Sequence, residues 1–298
     1  MMTSSQSASP PSSVREWRLA RRTLVYGERT LVMGVLNVTP DSFSDGGQFF
    51  NLESAFARAA EMTEEGADII DIGGESTRPG GQAVSTEEEI RRVVPVVEAL
   101  SKRIDVPVSV DTTKAAVARA ALDAGAEIVN DISALRFDPS LADAVAHARA
   151  GLVLMHSRGN LDTLHTLPPV ADIFREITES LRHSIAEATA RGVERESIAL
   201  DPGVGFGKTF EQNVELVAKL HLLIREFSQF PMLVGTSRKR FIGALLGDVP
   251  VDQRLHGTMS TVAAAVLGGT HIVRVHDVRA AVHTVRVADA IKAVNGRS

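Results

Sequence analysis

The stretch LVMGVL at residues 31–36 carries the pattern that decides the fold: a short aliphatic run, followed by the polar Asn37 and then by a helical pattern at residues 52–65. Runs of this kind are typical of strands buried on both faces in a parallel sheet. Because helical patterns separate successive runs, the chain predicts an α/β fold, a single (β/α)8 TIM barrel. The seven further runs lie at residues 68–72, 106–110, 127–129, 151–155, 197–200, 232–234 and 272–275.

A doubly wound open sheet is the competing fold, because hydrophobic periodicity does not distinguish it from a closed barrel. Polar residues follow nearly every strand-like run at its C-terminal end, and this favours the barrel. In a parallel barrel these ends converge on one mouth, where barrel enzymes hold their active sites. The polar residues concerned are Asn37, Asp71, Glu75, Asp111, Asn130, Asp131, His156, Asp201, Ser237, Lys239, Arg274 and His276.

The segment before the first barrel strand divides into two parts. Residues 1–13 are rich in Ser and Pro and lack the features of a signal peptide, so they predict a disordered tail. Residues 17–26 and 30–36 alternate polar and apolar side chains around Gly27 and Glu28, which predicts a hairpin leading into the first strand. The barrel domain is therefore expected to span residues 14–298.

Local signals also predict where helices begin. Asn51 is expected to cap the helix at 52–65, and Thr86 has capping-box spacing to Glu89 ahead of a second helix. Further helices are predicted at residues 114–123, 140–149, 173–191, 210–227, 238–246, 252–267 and 279–294.

Composition excludes several classes of protein. The 298 residues include 32 basic and 37 acidic side chains, a formal net charge of −5, which argues against a nucleic-acid binder. The chain has no Cys, so disulfides, thiolate metal sites and cysteine nucleophiles are excluded. No apolar run approaches the roughly 18 residues of a membrane helix. These properties together predict a cytoplasmic protein without a membrane partner.

Three polar residues at strand ends are candidates for binding a flat heterocycle. Asp111, Asn130 and Asp201 would place two carboxylates and an amide at the bottom of the mouth, where burial without a partner is costly. A ring with N–H, amino and carbonyl groups would satisfy them. Helix capping is the alternative, above all for Asp111, which precedes Thr112.

Positive charge gathers after the last two strands, where barrels frequently hold phosphate groups. Arg274 and His276 share one face of an extended segment and predict a cationic pair, while residues 237–240 could equally be a solvated first helical turn. The glycine-rich residues 201–209 fit neither a phosphate loop nor a dinucleotide fingerprint and are expected to present Phe206 to the mouth. A divalent ion bound through Asn37 and substrate phosphates remains open.

Seven strings match, in order and spacing, the signatures of the dihydropteroate synthase family, and the similarity covers about residues 31–293. The strings are residues 37–47, 73–80, 109–112, 130–131, 201–208, 235–239 and 274–277. The resemblance implies a TIM barrel that transfers the methylene of 6-hydroxymethyl-7,8-dihydropterin diphosphate to 4-aminobenzoate. Diphosphate leaves first, with Mg²⁺ assistance, and the amine attacks a delocalised pterin cation. The resemblance further implies a sulfonamide target and a homodimer.

The resemblance also assigns roles by position. It implies that the catalytic residues are Asp111, Asp201, Lys239, Arg274 and His276, with Asn37 as the metal contact. It implies that the substrate-binding residues are Thr77, Arg78, Pro79, Asn130, Met155, Phe206, Gly235 and Ser237. Two departures lie beside the aminobenzoate pocket: Arg240 stands where many relatives carry Ser, and residues 155–159 vary a Met-His-Met motif.

Other functions compete with this interpretation. A methyltransferase domain using methyltetrahydrofolate and a corrinoid partner would share Asp111, Asn130 and Asp201, but would have little use for Arg274 and His276. A non-catalytic pterin-binding or scaffold protein would not need intact loop residues. A Schiff-base aldolase built on Lys239 is a further alternative.

Overall fold

The computed structural model describes residues 15–38, 48–75, 84–160, 163 and 167–295. Within this part of the chain, the strands are β1 (Arg15–Arg18), β2 (Thr23–Tyr26), β3 (Leu31–Asn37), β4 (Ile69–Gly73), β5 (Val108–Asp111), β6 (Ile128–Asp131), β7 (Gly151–Met155), β8 (Ile198–Asp201), β9 (Leu233–Val234) and β10 (Ile272–Val275). The helices are α1 (Gln48–Glu64), α2 (Thr86–Ser101), α3 (Ala115–Asp123), α4 (Leu141–Ala148), α5 (Ile173–Ala190), α6 (Phe210–Ala218), α7 (Leu220–Glu226), α8 (Arg240–Leu245), α9 (Leu255–Leu267) and α10 (Val278–Asn295).

The eight strands β3 to β10 form one parallel sheet that closes on itself. Their order is β8-β7-β6-β5-β4-β3-β10-β9. A parallel bridge between Leu200 and Met232 joins the two ends of this order, and the Leu200 N–H donates to the Pro231 carbonyl at 2.9 Å. The barrel prediction is confirmed, and the open sheet is excluded.

Alternate residues of each strand have different surroundings. One set, which includes Val32, Ile70 and Val129, packs with the helices in the larger hydrophobic core. The other set, which includes Met33, Ile69 and Ile128, forms a separate buried cluster inside the barrel. This two-residue periodicity is the expected consequence of a pleated strand enclosed by helices.

The hairpin of β1 and β2 closes the N-terminal end of the barrel. Trp17 and Tyr26 belong to the interior cluster, and the fully buried Trp17 indole donates to the Ser197 carbonyl at 2.9 Å. The predicted hairpin position was wrong. Trp17 pairs with Leu24, and the turn is at residues 19–22, not at 27–28. Burying both aromatic rings against the barrel bottom requires this earlier turn.

Two predicted helix caps were displaced. Helix α1 begins at Gln48, so Asn51 lies inside it. The N-cap of α2 is Ser85, whose hydroxyl accepts the Glu88 N–H at 3.2 Å. Glu89 is buried and binds Lys114 instead of completing a capping box.

The segment predicted as one helix at 210–227 is two helices, α6 and α7, separated at Lys219. The buried positions Leu216, Leu220 and Leu223 keep a helical spacing across this break, so the hydrophobic pattern did not reveal it. Among the described residues, no helix is long and apolar enough to cross a membrane. The tail predicted at residues 1–13 lies outside the described residues.

Candidate active site

Polar side chains replace apolar ones at the C-terminal ends of the barrel strands, here called the mouth. On β4, β6 and β10, the interior residues Ile69, Ile128 and Ile272 are followed two positions later by Asp71, Asn130 and Arg274. Strand register places Asp111 directly beside Asn130, and it places Asp201 beside the apolar Met155. The same periodicity that builds the barrel core therefore builds the site.

Arg274 lies at the centre of an acid–arginine cluster, which comprises Asp71, Asp111, Asn130 and Arg274. Its Nε is 2.6 Å from Asp71 Oδ2, and its Nη2 is 2.7 Å from Asp111 Oδ2. Asn130 Nδ2 also donates to Asp71 Oδ2, at 3.0 Å. Burial lowers the pKa of Arg274, but Asp71 and Asp111 raise it above its ordinary value, so the guanidinium stays charged.

This cluster adds two carboxylates to the predicted cationic pair of Arg274 and His276. Asp71 binds Arg274 Nε and Asp111 binds Nη2, so part of the guanidinium charge is offset within the barrel. Asp71, which is fully buried, was among the polar residues expected at the mouth but was given no role in the predicted site. Its position after an apolar strand run, matching Asp111 on the next strand, was the available signal.

Asp111 does not cap the helix that follows it, so the capping alternative was wrong. The Ala115 N–H at the start of α3 donates to Asp138 Oδ2 at 2.8 Å, and the Lys114 N–H donates to Thr112 Oγ1. Burial raises the pKa of Asp111 to about 7, although Arg274 opposes the shift. A carboxyl group with this pKa lies close to its protonation midpoint at neutral pH.

Asp201, Lys239 and Phe206 form the opposite side of the mouth. Asp201 Oδ1 accepts the Gly203 N–H at 2.7 Å, and burial raises the pKa of this carboxyl to about 6. Burial lowers the pKa of Lys239 to about 8, while Asp201 works against the shift. The Lys239 ammonium lies 3.9 Å from the centroid of the Phe206 ring, a cation–π contact.

Phe206 packs with Ile132 and Met155 in a small apolar cluster of its own. This cluster provides a flat apolar wall beside the charged groups. A planar ring that stacks on such a wall could direct its polar edge towards carboxylate and amide groups.

Ser237 and His276 are joined by two hydrogen bonds. The Ser237 hydroxyl oxygen accepts the His276 backbone N–H at 3.2 Å and lies 3.0 Å from His276 Nδ1. A side chain on the neighbouring Gly235 would meet Arg274 Cβ at 3.7 Å. Arg238 is not part of a solvated basic turn, because it binds both oxygens of Asp277, at 3.0 and 2.6 Å.

Asn37 ends strand β3 beside Gly73. Asn37 Oδ1 and Asp111 Oδ2 lie 3.7 and 3.9 Å from the point where a Gly73 Cβ would be, so glycine leaves room between these oxygens. Within the described ranges, no group of three or more His, Cys, Asp or Glu side chains could hold a metal by itself. Thr77, Arg78 and Pro79 lie outside the described residues.

Two further residues lie beside the mouth, the partly buried Lys208 and the buried His156. His156 was among the polar residues expected there, but neither residue was given a role. Lys208 Nζ lies 2.9 Å from His156 Nδ1. A lysine inside a glycine-rich loop would be expected from sequence to reach solvent, so no sequence signal indicated this contact.

A closed parallel barrel with buried charged groups at its C-terminal mouth defines a TIM-barrel enzyme. Residues 33–276 match the family described as pterin binding enzyme, and the chain belongs to that family. A Synechocystis relative named dihydropteroate synthase is 48% identical over 266 residues, which cover 89% of this chain and 91% of the relative.

Solved structures of similar proteins agree. A Xanthomonas albilineans dihydropteroate synthase with 4-aminobenzoic acid matches with a TM-score of 0.87 and 44% identity, covering 94% of this chain and 99% of the other. A Yersinia pestis dihydropteroate synthase in a sulfonamide drug complex matches with a TM-score of 0.86 and 43% identity, with the same coverage of each chain.

Proposed function

We propose that this chain condenses 6-hydroxymethyl-7,8-dihydropterin diphosphate with 4-aminobenzoate to give 7,8-dihydropteroate and diphosphate, a transferase step of folate biosynthesis. The observation that carries the proposal is the convergence of Asp111, Asn130 and Asp201 at the mouth, beside the apolar cluster that contains Phe206, with Arg274 bound to Asp111 and Asp71. The high identity to curated dihydropteroate synthases supports the same activity.

The pterin is expected to enter the mouth with its polar edge towards Asp111, Asn130 and Asp201. Carboxylates accept ring N–H and amino groups, and an amide can both donate and accept. Asp201 already accepts one backbone N–H, which holds its carboxylate in place before a ligand arrives. Ile132 and Met155 would contact the face of the ring, and Phe206, which packs with them, would extend this apolar wall into the aminobenzoate pocket.

The reaction separates charge, and the residues at the mouth can stabilise both signs. Cleavage of the methylene–oxygen bond leaves a pterin cation, which the carboxylates of Asp111 and Asp201 would stabilise. Arg274 and His276 would stabilise the departing diphosphate. The amine of 4-aminobenzoate then forms the new carbon–nitrogen bond and releases a proton to water or diphosphate. An aniline needs no general base for this step, because it is a free amine at neutral pH.

Mg²⁺ is proposed as the metal, with Asn37 as its protein contact. The donor chemistry fits, since Asn37 Oδ1 faces the same small space beside Gly73 as Asp111 Oδ2, and hard cations prefer oxygen ligands. When bound with the substrate phosphates, Mg²⁺ would reduce the negative charge on the leaving group. Turnover measured in EDTA, and again after Mg²⁺ is added back, tests the proposed metal. Full activity in EDTA would contradict a role for Mg²⁺.

The aminobenzoate pocket is proposed at Thr77, Arg78, Pro79 and Phe206, with Gly235 and Ser237 as further substrate-binding residues, while Lys239 is proposed to bind the pterin. The Xanthomonas relative with 4-aminobenzoic acid supports this substrate, and the Yersinia complex supports sulfonamides as its competitors. Sulfonamide inhibition that 4-aminobenzoate relieves is the expected result.

Release of diphosphate, measured with a coupled assay, tests the function. Release is expected only when both pterin diphosphate and 4-aminobenzoate are present, and no release above background would contradict the proposal. Methyl transfer from methyltetrahydrofolate to a corrinoid protein, measured in parallel, would instead support the alternative methyltransferase. Borohydride trapping on Lys239 would support the aldolase.

A cytoplasmic homodimer is proposed as the working form. The absence of Cys from the sequence suits a reducing compartment. Light scattering during size-exclusion chromatography would measure the mass, and a monomer of 31.9 kDa at the working concentration would contradict the dimer. Cell fractionation would test the location.

A further inference from the structure

Lys208 is a largely buried lysine that binds a histidine and two backbone carbonyls. Its Nζ lies 2.9 Å from His156 Nδ1, 2.8 Å from the Gly203 carbonyl oxygen and 3.0 Å from the Phe206 carbonyl oxygen. Burial lowers the pKa of Lys208 to about 7, so its charged and neutral forms are both populated at neutral pH. In the charged form the ammonium has three N–H donors, and these three acceptors use all of them. Lys208 therefore has no donor left for a substrate, which distinguishes it from Lys239.

His156 is arranged to accept from this ammonium. Burial, together with the charge of Lys208, lowers the pKa of His156 well below its usual value, so the imidazole is neutral at pH 7. When Lys208 is charged it can only donate, so Nδ1 accepts from it and the single ring proton is on Nε2. The His156 backbone N–H donates to the Asp201 carbonyl at 2.9 Å, which joins the ends of β7 and β8.

The segment that these contacts hold is the glycine loop, residues 203–207. Gly203, Gly205 and Gly207 have φ values of +66°, +85° and +65°, a backbone that other residues rarely adopt. A Cβ on Gly203 would lie 1.8 Å from the His156 carbonyl oxygen, so the loop packs directly against the end of β7. Three glycines favour many conformations in isolation, and an added constraint is needed to select this one.

We propose that Lys208 is a positioning residue: by binding His156 and the carbonyls of Gly203 and Phe206, it holds the glycine loop so that the Phe206 ring lies against Lys239. The inference rests on the proposed function, because Phe206 belongs to the aminobenzoate pocket. Without the ammonium, the Phe206 carbonyl loses this donor, and the Gly203 carbonyl keeps the Phe206 N–H at 3.1 Å. Asn213 still binds the Gly205 N–H, so we expect a local shift of Phe206 away from Lys239 and not a collapse of the whole loop.

Substitution of Lys208 by Met tests the proposal, since Met keeps an unbranched chain but donates no hydrogen bond. We expect KM for 4-aminobenzoate to rise by about tenfold, below the ~100-fold that a 1 Å misplacement can cause. KM for pterin diphosphate should change by less than about threefold. The matched control is Lys219→Met, which removes an exposed lysine paired with Glu215 and should leave both KM values unchanged.

A double-mutant cycle separates positioning from general stabilisation. If Lys208 acts through Phe206, the double variant K208M/F206A will have the same KM for 4-aminobenzoate as F206A alone. The proposal is overturned if the increases in KM of the two single variants multiply in the double variant. It is also overturned if K208M lowers the melting temperature and leaves both KM values unchanged.

Two further variants keep the test decisive if K208M does not fold. Lys208→Arg retains a charged donor and should recover most of the affinity for 4-aminobenzoate. His156→Gln removes one of the three acceptors and should raise the same KM by about threefold; an unchanged KM in H156Q would overturn the proposal. Absence of turnover in the wild-type chain would instead contradict the proposed function itself.

Discussion

The two ends of the barrel are built from the same strands and differ sharply in chemistry. At the N-terminal end, Ile69, Ile128 and Ile272 pack with Trp17 in a dry aliphatic interior. Two residues further along the same strands, Asp71, Asn130 and Arg274 form the acid–arginine cluster. The inward positions of one pleated strand thus provide a core at one end and a charged site at the other.

The difference shows that burial has opposite effects on the free energy of the side chains at the two ends. Apolar side chains gain free energy from burial, so the hairpin covers the N-terminal end and contributes to stability. Charged groups lose hydration there, and the mouth retains them only because each has a charged or hydrogen-bonding partner. Burial shifts the pKa values of Asp111, Asp201 and Lys239 to about 7, 6 and 8, where their charges respond to pH near neutrality.

The largest expected effect is on stability at the N-terminal end. Trp17→Ala removes a fully buried side chain and its bond to Ser197, and it should lower the free energy of unfolding by about 3–5 kcal/mol. kcat/KM of the folded protein should be unchanged. Urea unfolding and steady-state kinetics check this, with Val25→Ala as the control, because Val25 is exposed in the same hairpin. A large loss of kcat/KM in folded W17A would contradict the conclusion that the N-terminal end contributes to stability and not to catalysis.

At the mouth, the expected effect is on turnover. Arg274→Met should lower kcat/KM by about 10²–10³-fold, because it removes a charged donor for the departing diphosphate. Diphosphate release measures this, with Arg175→Met as the control, since Arg175 is an exposed arginine paired with Glu179 on α5. A near-wild-type rate in R274M would remove Arg274 from the mechanism.

The pH dependence of kcat/KM for pterin diphosphate should have two limbs when it is measured at saturating 4-aminobenzoate, which removes the effect of Lys208 on the KM for that substrate. Asp201 and Asp111, with pKa values raised to about 6 and about 7, must be ionised to stabilise the cation, so kcat/KM rises with pH through this range. Lys239, with its pKa lowered to about 8, must be charged, so kcat/KM falls above about pH 8.

Variants identify the groups that produce these limbs. Asp201→Asn should reduce the slope of the acid limb from about two to about one, besides lowering the maximum rate strongly. Lys239→Arg should move the alkaline limb upward. Asp143→Asn, an exposed acid paired with Arg191, is the control and should keep the wild-type profile. An unchanged acid slope in D201N would exclude Asp201 as its source.

The smallest expected effect comes from the hydrogen bonds between Ser237 and His276. Ser237→Ala removes the hydroxyl that lies 3.0 Å from His276 Nδ1, and KM for pterin diphosphate should rise about fivefold, equivalent to ~1 kcal/mol. Ser260→Ala, which removes a hydroxyl bonded within helix α9, is the control. Equal kinetics in S237A and wild type would show that His276 needs no support from Ser237.

Much of the site could be predicted because the strand pattern itself places it. Asp111, Asn130 and Asp201 each follow a buried run, and parallel strands bring such positions to one mouth. Lys208 could not be predicted in this way, because its partners are two backbone carbonyls and a histidine 52 residues away. The turn of the N-terminal hairpin was missed for a similar reason: the barrel bottom, not the local sequence, places Trp17 and Tyr26 on a common buried surface.

The sequence by itself determined the alternation of strands and helices, the mouth at which polar residues collect, and the family resemblance of the loops. These depend on periodicity and on residue order, which a chain carries before it folds. Only the tertiary structure decided that Arg274 binds Asp71 and Asp111, and that Lys208 binds the glycine loop. Ion pairs and hydrogen bonds between distant segments depend on which side chains closure of the barrel brings within about 3 Å, and sequence spacing does not contain that distance.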